Sequence, residues 1–257
     1  MKLGCCASID QAERVKAAGF DFLEGTVASL IPGESDKKFK EEVLKPYEES
    51  PIAIEAFNGF IPSHLPLVGE RADREAIHAY LEKALERMQL IGARIVVFGS
   101  GGARHIPQDI ERAKGEQQIL EFLEAAGQKA KRAGITVVIE PLNRKECNVI
   151  NSVSEAVRFA RQVNHPAVQV LADFYHMDEE DEPLDHLLSA AKYLKHIHVA
   201  DTGRGAPGTG HYPYKQFSSY VREAGYSGGI SIECLWDDFA HQVEKARHFL
   251  AEQFSDQ

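Results

Sequence analysis

Four short apolar runs in the second half of the chain each end on a side chain able to bind a metal or move a proton. Val137-Val-Ile leads into Glu140, Gln169-Val-Leu-Ala into Asp173, His196-Ile into His198, and Ile230-Ser-Ile into Glu233. Any one of these alone would most often be a loop-side salt bridge, a helix cap or a hydrogen-bonded core histidine. Together they are a different matter. Three carboxylates gathered with a histidine repel one another unless a cation sits among them. Three oxygens and one imidazole nitrogen suit a single divalent ion, and Mn²⁺, Zn²⁺, Co²⁺ and Mg²⁺ are all admissible.

Such a constellation needs strands that end at one rim. Apolar runs alternate with amphipathic segments from end to end: strands are expected at Leu3–Cys6, Phe20–Glu24, Ile52–Phe57, Arg94–Phe98, Ile135–Glu140, Val168–Asp173, Leu194–Ala200 and Gly229–Leu235. Helices are expected between them, at about Ile9–Ala18, Lys37–Glu49, Asp73–Leu90, Gln117–Ala133, Ser152–Val163, Leu184–Ala191, Tyr214–Ala224 and Asp238–Phe254. Ser8 with Gln11, and Ser152 with Glu155, are spaced as capping boxes. Eight strand–helix units in 257 residues fit a single (β/α)8 TIM barrel occupying residues 1–257 as one domain. A doubly wound open sheet is the competing architecture, but Gly4-Cys-Cys-Ala-Ser-Ile is not the glycine-rich turn such a sheet usually carries.

Composition narrows the function classes. With 29 Lys and Arg against 39 Asp and Glu the net charge is −10, which disfavours nucleic acid and anionic membranes as partners. No apolar run reaches the roughly 20 residues of a membrane span, and Asp10 interrupts any signal-peptide core. Cys5, Cys6, Cys147 and Cys234 form no CxxC pair, so reduced thiols in a cytoplasmic protein are expected. A small molecule is the expected partner; a homo-oligomer stays open.

The motifs Ile139-Glu-Pro-Leu-Asn-Arg-Lys-Glu146, Asp173-Phe-Tyr-His176, His196-Ile-His-Val-Ala-Asp201 with Arg204, and Ile232-Glu233 resemble those of the xylose-isomerase-like barrels, within them the sugar isomerase and ketose 3-epimerase group that includes D-tagatose and D-psicose 3-epimerases. The resemblance covers essentially the whole chain. It implies that Glu140, Asp173, His198 and Glu233 ligate the metal, with Glu140 and Glu233 also the acid/base pair. It implies too that Glu146, His176 and Arg204 contact a sugar or polyol substrate. The chemistry fits independently: removing a C–H proton beside a carbonyl develops enediolate charge that a divalent ion stabilises, while one carboxylate takes the proton and a second returns it.

Two other reactions are open to the same scaffold: dehydration of an inosose or dehydroshikimate-like ring, and cleavage of abasic DNA. The second needs more histidine ligands and a basic groove. The chain departs from the 3-epimerases at Gly4–Ser8 and Phe57–His64, segments expected to line the distal pocket. Phe57, Phe60, Phe174 and Trp236 fall where they could wall that pocket, and barrel-top packing explains them equally well. Gly99-Ser-Gly-Gly-Ala-Arg104 reads as a flexible rim loop, with anion binding through its N–H groups as the alternative. Cys6 is placed to face the mouth, as inert packing or near substrate.

Overall fold

A computed structural model describes residues 1–255. Its strands β1 (Lys2–Cys6), β2 (Phe22–Thr26), β3 (Ala53–Asn58), β4 (Ile95–Phe98), β5 (Thr136–Ile139), β6 (Val168–Asp173), β7 (Leu194–Val199) and β8 (Gly229–Ile232) pair in chain order into a closed barrel, with β8 returning parallel to β1. The connections carry helices α1 (Ala12–Ala17), α2 (Asp36–Glu42), α3 (Leu44–Glu48), α4 (Arg74–Ile91), α5 (Gly101–Arg104), α6 (Arg112–Ala133), α7 (Val153–Val163), α8 (Phe174–Glu179), α9 (His186–Ala190), α10 (Tyr214–Glu223) and α11 (Phe239–Phe254). The eight-unit barrel expected from the sequence is the fold. None of the helices among the described residues is long and apolar enough to cross a membrane.

Period-two alternation sorts each strand into two faces. Outward residues such as Leu23, Val96, Phe98, Val137, Ile139, Val170, Ile197 and Ile230 join the large apolar layer against the helices. Val97, Val138 and Leu171 form a separate small cluster on the inward parity. Glu24, His196 and Ser231 share that parity, so the barrel interior holds buried polar groups as well as aliphatic ones. One pleat above, towards the C-terminal mouth, the inward positions are Cys6, Asn58, Gly99, Glu140, Asp173, His198 and Glu233.

Several local expectations are corrected. The helix expected over Lys37–Glu49 breaks at Val43 into α2 and α3. Ser8 makes no side-chain cap: Ile9–Gln11 is a 3₁₀ turn, and Gln11 spends its amide on Asp10 and Arg14. Ser152 does cap α7, accepting from Glu155 N at 3.1 Å, but Glu155 reaches back to Asn151 N rather than to Ser152. β8 stops at Ile232, leaving Glu233 just past the strand. The Gly99–Arg104 segment is more ordered in local structure than the irregular loop its glycines suggest. It closes into the short α5, and the buried Arg104 guanidinium donates to the carbonyls of Phe98 and Glu140, both at 2.8 Å, and of Ile150 at 3.4 Å.

Candidate active site

Glu140, Asp173, His198 and Glu233 converge at the mouth, each offering a ligand atom within 4.8 Å of the others. His198 Nδ1 stands 3.2 Å from Glu140 Oε1 and 3.5 Å from Glu233 Oε2. Asp173 ends β6 and caps α8: its Oδ1 accepts from Tyr175 N at 2.8 Å, while its buried Oδ2 has no hydrogen-bond partner. An orphaned carboxylate oxygen inside a ring of ligand atoms fits a divalent cation.

The electrostatics of the cluster agree with that fit. Burial pushes the Asp173 carboxyl up to about 8, with Glu140 and Glu233 adding to the shift. Glu140 is raised for the same reasons, burial first and then Glu233. Glu233 goes the other way: burial opposes ionisation, but His198 and Arg204 outweigh it and hold the group at about 2. His198 is raised well above its ordinary value because Glu24 and Glu233 overcome the cost of burying its charge. A cation among the carboxylates would offset both the cost of burying them charged and the repulsion that adds to the Asp173 and Glu140 shifts.

The three residues assigned to substrate sit around this cluster. Arg204 Nη2 lies 2.7 Å from Glu233 Oε2, its Nη1 3.3 Å from Glu146 Oε1, and its guanidinium 5.0 Å above the Tyr175 ring. Its backbone is left-handed (φ 64°), in a loop pinned by the buried Asp201, whose oxygens accept from Thr202, Gly208 and Tyr212 N–H groups. His176 Nδ1 accepts from Asn143 N at 3.1 Å. Burial lowers this imidazole to about 4, so the ring is neutral with its proton on Nε2. That Nε2 is buried without a partner, 3.7 Å from the equally orphaned Asp173 Oδ2. A donor and an acceptor left open side by side are arranged for an oxygen that comes from outside the chain. Glu146 accepts from Asn143 Nδ2 at 3.1 Å and is the most exposed of the three.

Sequence reasoning missed residues that complete this arrangement. Asn58 Nδ2 donates to Glu233 Oε1 at 3.1 Å, and Asn143 organises both Glu146 and His176. Glu24, His196 and Ser231 lie beneath the mouth; Glu24 sits mid-strand in β2 on the inward parity, two residues short of the strand end. Of the aromatics, Phe57 packs near Tyr47, Phe60 on Phe122, and Phe174 stacks on Phe217 at 4.1 Å, all in the helix–sheet layer. Only Trp236 reaches an open groove, shared with Cys6, Gln11, Arg14 and Phe239. Cys6 is held protonated by burial and the neighbouring carboxylates, which makes it a poor nucleophile.

Gly99 gives a local test of the geometry. A Cβ built there would collide with Glu140 Oε2. Gly99→Ala should therefore displace the Glu140 carboxylate and weaken divalent metal binding about 10-fold or more, an effect of the size seen when ligand support is lost. Titration with Mn²⁺ against a competing chelator measures it; unchanged affinity would show that Glu140 need not hold its present position.

The chain matches the family model described as xylose isomerase-like TIM barrel over residues 12–253. It belongs to that family. A D-psicose 3-epimerase of Agrobacterium fabrum is 29% identical over 230 residues, covering 86% of this chain and 77% of that protein. A putative hydroxypyruvate isomerase of Streptomyces coelicolor is 31% identical over 240 residues, covering 88% of this chain and 84% of its own. The crystal structure of D-psicose 3-epimerase with D-tagatose from Clostridium cellulolyticum H10 superposes with a TM-score of 0.87 at 22% identity, covering all of both chains, and shows the shared fold. This xylose isomerase-like barrel is an enzyme of the sugar isomerase/epimerase type.

Proposed function

We propose that the protein epimerises or isomerises a ketose by moving a proton on a carbon beside the carbonyl, with one divalent ion held by Glu140, Asp173, His198 and Glu233. The observation that carries this reading is the convergence of those four ligand atoms within 4.8 Å, two of them from carboxylates that directly follow β5 and β8, three strands apart. Relatives named as a psicose 3-epimerase and a hydroxypyruvate isomerase support the same proton chemistry. A bound ion would supply positive charge beside the carbonyl oxygen as the C–H proton leaves.

The remaining work falls to side chains of this chain. Glu233 takes the proton: Arg204 at 2.7 Å and Asn58 at 3.1 Å occupy one direction on each oxygen and keep the group ionised and aimed. Glu140, with no arginine on its carboxylate, returns a proton from the other side. His176 Nε2–H donates to a substrate oxygen. Arg204 and Glu146, tied to each other at 3.3 Å, bind neighbouring hydroxyls. Free thiols at all four cysteines suit a reducing cytoplasm.

Incubation with Mn²⁺, a ketohexose or ketopentose and D₂O should yield a new sugar whose mass is unchanged apart from deuterium on carbon. His176→Ala and Arg204→Ala should reduce that rate about 100-fold through misplacement of substrate, with metal content close to wild type. A product one water lighter would replace this reading with a dehydratase. Cleavage of an abasic-site duplex, or absence of carbon-bound deuterium across the ketose panel, would overturn it.

A further inference from the structure

We infer that Glu24 is a positioning residue that keys the His198 imidazole for metal binding from beneath the site, with His196 and Ser231 fixing Glu24 in turn. The inference rests on the reading that the mouth cluster holds a divalent ion. His198 has two ring nitrogens and can present only one as a ligand. Nε2 lies 2.9 Å from Glu24 Oε1, and an ionised carboxylate only accepts, so the proton belongs on Nε2. Nδ1 is thereby the nitrogen turned to Glu140 and Glu233, 3.2 and 3.5 Å away. A carboxylate on the far nitrogen fixes ring orientation and tautomer together.

Glu24 is itself clamped. Its Oε2 accepts from His196 Nε2 at 2.8 Å and from Ser231 Oγ at 2.7 Å. His196 Nδ1 is buried without a partner, which places that ring's proton on Nε2, where Glu24 receives it. The stacking follows from strand parity: His196 and Ser231 each precede a ligand, His198 and Glu233, by two residues, so the same two strands carry the ligand layer and the layer that supports it. Glu24, His196, His198 and Ser231 are all at most 1% exposed, so water does not compete for these bonds.

Cys6, Glu24 and His198 also have ligand atoms within 4.8 Å of one another. A second ion there would have to break the Glu24–His198 bond. Both Glu24 oxygens already have close donors, so the keying role and the second-ion role exclude each other.

The experiment is Co²⁺ titration of wild type, Glu24→Gln, His198→Ala and the double variant, read by affinity and by visible absorption, with circular dichroism to check folding. Glu24→Gln should weaken Co²⁺ binding 10- to 100-fold and move the Co²⁺ spectrum towards that of His198→Ala. In the His198→Ala background the same substitution should cost less than twofold. A merely structural Glu24 would lose affinity equally in both backgrounds, and that outcome overturns the inference, as does wild-type affinity in Glu24→Gln or a wild type that takes up two Co²⁺ per chain. Should Glu24→Gln not fold, Ser231→Ala removes one donor from Oε2 alone; its expected several-fold loss should also vanish in the His198→Ala background, and persistence of the loss there overturns the inference. A wild type that binds no Co²⁺ brings down the metal-dependent reading together with this inference, whereas normal wild-type binding with an indifferent Glu24→Gln leaves that reading standing.

Discussion

Glu233→Gln and Glu140→Gln are each expected to lower kcat about 1,000-fold at saturating divalent metal, the range in which a lost general acid or base falls. Glutamine keeps the volume and one acceptor oxygen but gives up the charge that lets the group take a proton. At Glu233 the change has a second consequence. Arg204 and Asn58 donate to different oxygens of the carboxylate. An amide can satisfy only one of them and turns an N–H towards the other, which costs a buried hydrogen bond of about 1–3 kcal/mol. The Glu140 carboxylate makes no hydrogen bond to Arg204 or Asn58, so Glu140→Gln should lose rate with less displacement of its surroundings. Comparison at saturating Mn²⁺ separates lost basicity from lost metal. Near-wild-type kcat in either variant would remove that residue from the acid/base pair.

The barrel and its four candidate ligands were legible because both are written in local pattern. A strand buried on both faces must be apolar, so a carboxylate or histidine at its end stands out, and four such signals on successive strands identify one rim. Glu24 ends the strand expected over Phe20–Glu24, though β2 runs on to Thr26, and Phe22-Leu-Glu-Gly-Thr has no partner motif nearby in sequence; its partners, His196 and Ser231, are 172 and 207 residues away. Parity also decides between the two readings left open for the aromatics, in favour of packing for Phe57 and Phe174. Phe57 and Phe174 sit at strand ends, yet their side chains fall on the outward face, where they pack against Tyr47 and Phe217. Arg104 shows what local pattern cannot carry. Its glycine-rich surroundings resemble a mobile loop, but the guanidinium turns inward to collect carbonyls from Phe98, Glu140 and Ile150, three places joined only by the closed barrel. Through the Glu140 carbonyl it ties the rim segment to a candidate ligand.

The metal-free protein should lose stability as pH rises from about 5 to 8, and divalent metal should reverse that trend. Asp173, with its carboxyl raised from 3.8 to about 8 by burial and its neighbouring carboxylates, binds a proton in the folded chain that the unfolded chain has already released. Glu140 is displaced the same way. The unfolded state therefore holds fewer protons across this window, and stability falls with rising pH. His198 adds in the same direction: its raised value contributes stability below the ordinary histidine range that is lost as pH climbs through the folded value. Glu233, depressed to about 2, contributes stability above the usual carboxylate range and loses it only in strong acid, so it does not counter the trend here. A bound cation requires the carboxylates ionised, so binding releases protons and tightens with pH. Each proton released is worth about 1.4 kcal/mol per pH unit. For a chain of this size that is a gap in Tm between Mn²⁺-loaded and stripped protein widening by about 3–5 °C per pH unit. Thermal unfolding with and without excess Mn²⁺ at pH 6, 7 and 8 measures the gap directly. A gap that stays constant would mean the ion enters a site already deprotonated, and one that narrows would mean that Asp173 and Glu140 are not where it binds.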